Sequence, residues 1–98
     1  MSKKVCLLIR DKDYVLDGLR STLGLSVENH YSYAVVMKAE LDKFDEYNQE
    51  NLEWIRDMEG EVFTTVPANV DNNGLVALTL EELGQKLREM DIIIPYGV

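Results

Sequence analysis

Two acidic residues flank a lysine directly after the first apolar run of the sequence. Asp11 and Asp13 have the spacing of a phosphatase-type site, in which a nucleophilic aspartate is followed by a second one, and paired acids also mark phospho-receiver domains. Phosphatase chemistry needs Mg²⁺ and further carboxylates at later strand ends. A receiver domain needs an acceptor aspartate after its third strand and a lysine after its last strand. The later predicted strands end in TTVPANV and IPYG, which contain none of these carboxylates and no lysine. We therefore expect turn formation here, with Asp13 as a helix N-cap.

Thiol and histidine chemistry is limited by the residue counts. The single cysteine, Cys6, excludes an internal disulfide, a CxxC pair and a multi-thiolate zinc site, and the single histidine, His30, excludes HExxH. Cys6 lies inside an apolar run, and a buried thiol keeps a high pKa and is a poor nucleophile. No phosphate loop and no GxSxG elbow occur. We expect no catalytic residue, no metal and no cofactor, and an enzyme working through Cys6 stays the minor alternative.

Polar residues follow several of the predicted strands. In open parallel sheets, ligands bind in the crevice outside the carboxyl ends of the strands. That rule selects segments 10–14, 38–40, 66–73 and 95–97. The candidate ligand-binding residues in these segments are Arg10, Asp11, Lys12, Lys38, Asn69 and Tyr96. The cations among them, Arg10, Lys12 and Lys38, would meet an anionic small molecule.

The elements that position these residues alternate between two periodicities. Short apolar or β-branched runs predict strands at 3–10, 33–37, 61–66 and 91–97, the last one stopped by Pro95. Apolar residues three and four apart predict helices at 14–28, at 39–59 in two segments with Asn48 capping the second, and after Thr79, where Glu82 completes a capping box. Gly60 is expected to stop the middle helix, and 67–77 to form a loop.

The order β-α-β-α-β-α-β predicts one α/β domain covering residues 1–98. Strands that alternate with helices favour a parallel sheet covered on both faces. The expected fold class is therefore three-layer α/β/α, with a mainly parallel sheet of four or five strands. A chain of 98 residues is also far shorter than the roughly 250 residues of an eight-stranded α/β barrel.

The net charge of -8 results from 10 basic and 18 acidic residues. The charge is uneven, because residues 1–38 hold 6 of the basic and only 4 of the acidic residues. An acidic surface repels phosphate backbones and anionic lipids, so we expect no nucleic-acid partner and no membrane binding. The run after Lys3 and Lys4 is too short for a secretory signal. We expect a cytoplasmic location.

The opening KKVCLLIR, then DGLRSTLGLSVEN, then YAVVM resemble the start of the DsrE/DsrF/DsrH-like family of small sulfur-relay proteins. A helix ending in EG, a loop with NGL and a helix leading into MDIIIPYG are similar too. The resemblance implies a compact three-layer domain that forms homo- or hetero-oligomers with related subunits. In catalytic members of the family, a cysteine in the loop after the third strand carries a persulfide. Residues 66–74 contain no cysteine here, so no family catalytic residue carries over.

Two functions from different classes follow from this reading. The first is a non-catalytic, oligomeric DsrE-like protein, an accessory or structural subunit related to sulfur relay, with Trp54 serving in the core or in a subunit contact. The alternative is a small anionic-ligand-binding domain that uses the crevice at the strand ends.

Overall fold

The computed structural model describes residues 3–28, 30–38, 40–41 and 43–96. Five parallel strands form one sheet in the order β4-β3-β2-β1-β5. The strands are β1 (Lys4–Ile9), β2 (Tyr31–Val36), β3 (Glu61–Thr64), β4 (Val76–Ala77) and β5 (Ile92–Tyr96). The helices are α1 (Val15–Val27), α2 (Glu46–Asp57), α3 (Pro67–Asn73) and α4 (Leu80–Arg88). The expected α/β class with a parallel sheet is confirmed. No helix in the described part of the chain is both long and apolar enough to cross a membrane.

The first face of the sheet is covered by α1 and α2. Ile9 of β1, Val36 of β2 and Val62 of β3 are fully buried there, together with Leu19 of α1 and Ile55 of α2. In a strand, alternate side chains point to the same face, which is why these strand residues share one layer. This layer contains the larger of the two apolar clusters.

The second face is covered by α4. Cys6, Val35 and Phe63 point to this side and pack with Leu83 of α4. The predicted capping box is confirmed, because the Thr79 side chain accepts from the Glu82 N–H while the Glu82 carboxylate accepts from the Thr79 N–H. The capped helix completes the three layers that the alternation of elements predicts.

The segment before α1 forms a 3₁₀ turn over Lys12–Tyr14. The Asp13 N–H donates to Oδ1 of Asp11 at 2.9 Å, and the Tyr14 N–H donates to the Asp11 carbonyl at 3.0 Å. The acceptor side chain in this turn is therefore Asp11, in place of the expected Asp13. The carboxylate of an aspartate commonly accepts from the N–H two residues on, which places the acceptor side chain two residues earlier than expected.

A single helix, α2, replaces the two predicted segments between 39 and 59. Its N-cap is Asp45, whose side chain accepts from the Asn48 N–H, so Asn48 lies inside the helix and the expected Asn48 cap is wrong. At the other end, Glu59 takes the left-handed backbone with φ 67°, whereas Gly60 does not. Gly60 is needed instead for its lack of a side chain, since it packs against the backbone of β2.

Residues 67–77, expected to be a loop, contain α3 and the short edge strand β4. Pro67 starts α3, a position where its missing N–H would be unpaired in any case. Gly74 ends that helix with φ 68°, so the Asn-Gly pair marks a helix C-cap. Pro95 lies within β5 and does not stop it. Among the described strands β5 pairs only with β1, and an edge strand tolerates a proline because one of its sides forms no ladder.

We expect the Gly24→Ala substitution to raise the free energy of unfolding by about 0.5 to 1 kcal/mol, because alanine is the better helix former. Gly24 lies in the interior of α1, and a Cβ at this position would meet nothing within 4 Å. Urea denaturation of both proteins measures the difference. Gly18→Ala in the same helix is the contrasting variant, since its Cβ would lie 2.5 Å from Cδ1 of the buried Ile9. A loss of stability in Gly24→Ala would contradict the open space at this position.

Candidate functional site

The predicted ligand-binding residues are distributed over the carboxyl ends of four strands. Arg10 follows β1 and Lys38 follows β2, and both side chains are exposed. These two strands are neighbours, with Ile9 in register with Val36, so the two cations end adjacent strands. Asp11 is partly buried in the turn before α1, and the side chain of Lys12 lies outside the described residues. The residues therefore share one edge of the sheet, and ligand binding there stays a prediction.

Tyr96 and Asn69 lie further along the same edge of the sheet. Tyr96 ends β5 and is partly buried, with its ring edge-on to Tyr14 at a centroid distance of 6.4 Å. Asn69 is completely buried on α3. Its Oδ1 accepts from the Leu41 N–H at 2.8 Å, and its Nδ2 donates to Oγ1 of Thr64 at 3.1 Å. These bonds tie α3 to β3 and to the segment before α2.

The sulfur of Cys6 is shielded in the middle of β1. The residue is 1% exposed and packs against Val35 and Phe63 under α4. Burial raises the pKa of the Cys6 thiol to about 11, because the uncharged thiol is favoured away from water. The expectation of a buried thiol with a high pKa is confirmed. Nucleophilic sulfur chemistry requires an accessible thiolate, and Cys6 in this structure offers neither access nor charge.

We expect Cys6 to react with a maleimide or disulfide reagent at pH 8 at least about a thousandfold more slowly in the folded protein than in urea. The reason is the combined loss of access and of thiolate at a raised pKa. Mass spectrometry of quenched samples follows the labelling. Labelling of the native protein at the rate of the denatured chain would show that the sulfur is open to solvent.

Among the described residues, no group of three or more His, Cys, Asp or Glu side chains is placed to hold a metal ion. One cavity of about 480 Å³ lies where β3 and β4 end, and its polar side chains are those of Thr64, Thr65, Asp71, Thr79 and Glu82. Three of these side chains already form hydrogen bonds within caps and turns, namely Thr64, Thr79 and Glu82. This cavity therefore has few free polar groups with which to orient a ligand.

The outer surface of α2 carries large apolar side chains in water. Trp54 is 57% exposed, Tyr47 is 54% exposed and Met58 is 37% exposed. Their spacing of seven and four residues places them on one side of the helix, and we call this set the Trp54 stripe. Tryptophan, tyrosine and methionine are enriched in protein interfaces, and tryptophan and tyrosine dominate their binding energy.

Acidic side chains border the Trp54 stripe on one flank. Glu46, Glu50, Glu53 and Asp57 are all exposed, and helical spacing places them together beside the stripe. The other flank faces α1. The described residues of α2 hold only one cation, Arg56, which is paired with Glu61 at 2.7 Å. The stripe therefore combines an apolar centre with a negative border.

Comparison with protein-family models, with curated proteins and with solved structures found no match to this chain.

Trp54 could be singled out from the sequence, whereas its neighbours on the stripe could not. The signal was present in the heptad spacing of Tyr47 and Trp54 followed by Met58, in a helix whose buried side is already supplied by Leu52 and Ile55. The predicted division of 39–59 into two segments hid it, because an N-cap at Asn48 leaves Tyr47 outside the helix that contains Trp54.

Proposed function

We propose that this protein is a non-catalytic binding subunit that docks a partner protein through the Trp54 stripe of α2. The observation that supports it best is the 57% exposure of Trp54, the only tryptophan in the chain, on a well-formed helix. Leaving so large an apolar group in water forfeits the stabilisation that burial would bring. Exposed apolar patches bordered by polar residues commonly mark interaction sites.

The charge around the stripe specifies the partner's chemistry. Four carboxylates border it, and the whole chain has a net charge of -8, so a second copy placed face to face would bring like charges together. A partner with basic residues around an apolar ridge would match both parts of the surface. We therefore propose a hetero-oligomer, in which an amphipathic helix of a basic partner lies along α2.

Trp54 itself reports on docking, because its emission moves to shorter wavelength when the indole leaves water. The probe is an amphipathic helical peptide with leucine on one face and lysine on the other, titrated at physiological salt. We expect a saturable blue shift with the leucine/lysine peptide and none with a leucine/glutamate peptide of the same pattern. The double variant Glu50→Lys/Glu53→Lys should lose most of the affinity, and Glu81→Lys on the exposed side of α4 is the matched control.

Three results would overturn this proposal. The first is no shift with either peptide, and the second is an equal loss of affinity in Glu81→Lys and in the α2 variant. The third is self-association seen by light scattering that disappears in Trp54→Ala, since the stripe would then bind a second copy.

The proposal also includes the assembly in which such a subunit would work. The resemblance to the DsrE/DsrF/DsrH-like family suggests an accessory role in a cytoplasmic sulfur-relay assembly, with a related subunit as the partner. The buried Cys6 supports the absence of sulfur transfer by this chain. Incubation with a cysteine desulfurase and cysteine tests this point. Persulfide on the wild-type chain that is absent from Cys6→Ser would contradict the non-catalytic role.

A second candidate function is the binding of a small anion at the carboxyl edge of the sheet. The supporting observation is that Arg10 and Lys38 are both exposed at the ends of the neighbouring strands β1 and β2. Calorimetric titration with inorganic phosphate tests it. Binding that is lost in Arg10→Gln and Lys38→Gln would favour this function, and heat changes indistinguishable from dilution would exclude phosphate as the ligand.

A further inference from the structure

Asn73 and Gly74 lie between α3 and the edge strand β4, and they form the only Asn-Gly pair in the sequence. An asparagine is chemically least durable when glycine follows it, because glycine has no side chain to shield its backbone nitrogen. That nitrogen can attack Cγ, the side-chain amide carbon of the preceding asparagine. In an unfolded chain such a pair therefore loses ammonia spontaneously.

This deamidation needs water as its only other reactant. A bond forms between the Gly74 nitrogen and Cγ of Asn73, and the bond from Cγ to Nδ2 breaks. The proton of the Gly74 N–H leaves with Nδ2 as ammonia. Water then opens the resulting succinimide ring to an aspartate or an isoaspartate, and no atom is oxidised or reduced. The product has an additional negative charge, which makes the modified chain separable by anion exchange.

The fold keeps both reacting groups out of the geometry of attack. Asn73 is the last residue of α3, and ring closure requires its ψ angle to leave the helical range. Its Oδ1 accepts from the Phe44 N–H at 2.7 Å, which holds the side chain against the segment before α2. The Gly74 N–H, whose proton must leave, donates to the carbonyl of Val70 at 3.0 Å. Asn73 is also only 4% exposed, so water reaches Cγ poorly.

We propose that Asn73–Gly74 is a protected deamidation site, which reacts when α3 detaches and then prevents α3 from docking again. α3 has seven residues, and Asn69 and Asn73 bond it to the segment before α2. Short units with few buried contacts open without global unfolding. Docking of the product would bury a carboxylate where a neutral amide was, which is costly. An isoaspartate would also lengthen the main chain at the helix C-cap, so the modification records each opening irreversibly.

Deamidation kinetics of the full chain at pH 8 test the protection, and peptide mass spectrometry locates the modified residue. In guanidinium chloride we expect Asn73 to react before the other asparagines. In native buffer its reaction should be at least about thirtyfold slower, because it proceeds only through the opened state. Asn69→Ala, which loses the contact with Leu41, should speed the native reaction at least about tenfold. Asn72→Ala is the matched control, exposed on the same helix, and should leave the rate unchanged.

Asn73→Asp tests whether the product still docks, because it introduces the charge of the deamidated chain. Asn72→Asp adds the same charge at an exposed position of the same helix. Urea denaturation should give Asn73→Asp a folding equilibrium constant at least about tenfold below that of Asn72→Asp. Native Asn73 that reacts at the denatured rate, equal native rates in Asn69→Ala and Asn72→Ala, or equal stabilities of the two aspartate variants would each overturn the proposal. None of these readouts depends on Trp54 emission or on a partner.

Discussion

We expect the Gly60→Ala substitution to lower the free energy of unfolding by about 3 kcal/mol or more, a large share of the roughly 5 to 15 kcal/mol of a typical domain. The added Cβ would overlap the backbone carbonyl oxygen of Ser32, and it would lie 2.9 Å from Cγ2 and 3.1 Å from the carbonyl oxygen of Ile55. Two of these three atoms belong to the backbone, which cannot rotate out of the way as a side chain can.

The neighbouring strand has little freedom to move aside. Ser32 belongs to β2, which pairs with β1 on one side and β3 on the other. Its hydroxyl donates to the carbonyl of Thr22 in α1 at 2.7 Å, so a shift of the Ser32 backbone would also disturb the helix. The Gly60 N–H donates in turn to the carbonyl of Ile55 at 2.9 Å, which fixes the turn between α2 and β3.

Urea denaturation measures the effect as a lower midpoint at an unchanged slope. Gly84→Ala is the matched control, because Gly84 is exposed in α4 and a Cβ there would meet nothing within 4 Å. That control should be as stable as the wild type or slightly more so. Equal stability of the two alanine variants would show that β2 and the α2 terminus do not approach each other as closely as described.

The second large effect is expected for Asn69→Ala, which should cost about 2 to 4 kcal/mol of stability. The substitution removes the acceptor of the Leu41 N–H and the amide that donates to Thr64. Leu41 is only 6% exposed, so its N–H would be left in a site that water reaches poorly. A buried donor without a partner costs more than the net value of the lost hydrogen bond.

Asn73, one helical turn further along α3, makes the same kind of contact. Its Oδ1 accepts from the Phe44 N–H at 2.7 Å. The two asparagines thus hold the irregular segment before α2 at two points, and each is buried where the segment passes α3. Asn69→Ala should break the contact with Leu41 and leave the contact between Asn73 and Phe44 in place.

Asn72→Ala is the matched control, since Asn72 is exposed on the same helix between the two buried asparagines. We expect its stability to stay within about 0.5 kcal/mol of the wild type. Hydrogen exchange provides a local readout, because the Leu41 amide should lose its protection in Asn69→Ala and keep it in Asn72→Ala. Unchanged exchange at Leu41 would contradict the role of Asn69 as its acceptor.

The parallel α/β architecture could be predicted because periodicity and burial are properties of local sequence. The apolar run of β1 and the Leu83 face of α4 are visible without knowledge of any partner segment. The capping box also depends only on two side chains three residues apart. These features involve contacts within one element or one layer, and local physical rules describe them well.

The elements that were missed depend on contacts between distant segments. α3 is rich in asparagine, a weak helix former, and it exists where Asn69 and Asn73 bond the backbone of residues 28 or more positions away. β4 comprises two residues, and within the described part of the chain it pairs only with the edge of β3. The candidate ligand residues at the strand ends followed from a topological rule, whereas the Trp54 stripe requires knowing that α2 is one continuous helix.

The uneven covering of the two sheet faces has a consequence for how the molecule opens. One layer contains α1 and α2, while the other is covered by the nine residues of α4. Leu80 of α4 is 72% exposed, so Leu83 and Leu87 are the leucines of this helix that pack on the sheet. Native proteins open first in units with few buried contacts. Detachment of α4 would expose Cys6 while the opposite layer stays folded. The slow labelling rate of that thiol would therefore report the local opening of one helix and not the global unfolding of the domain.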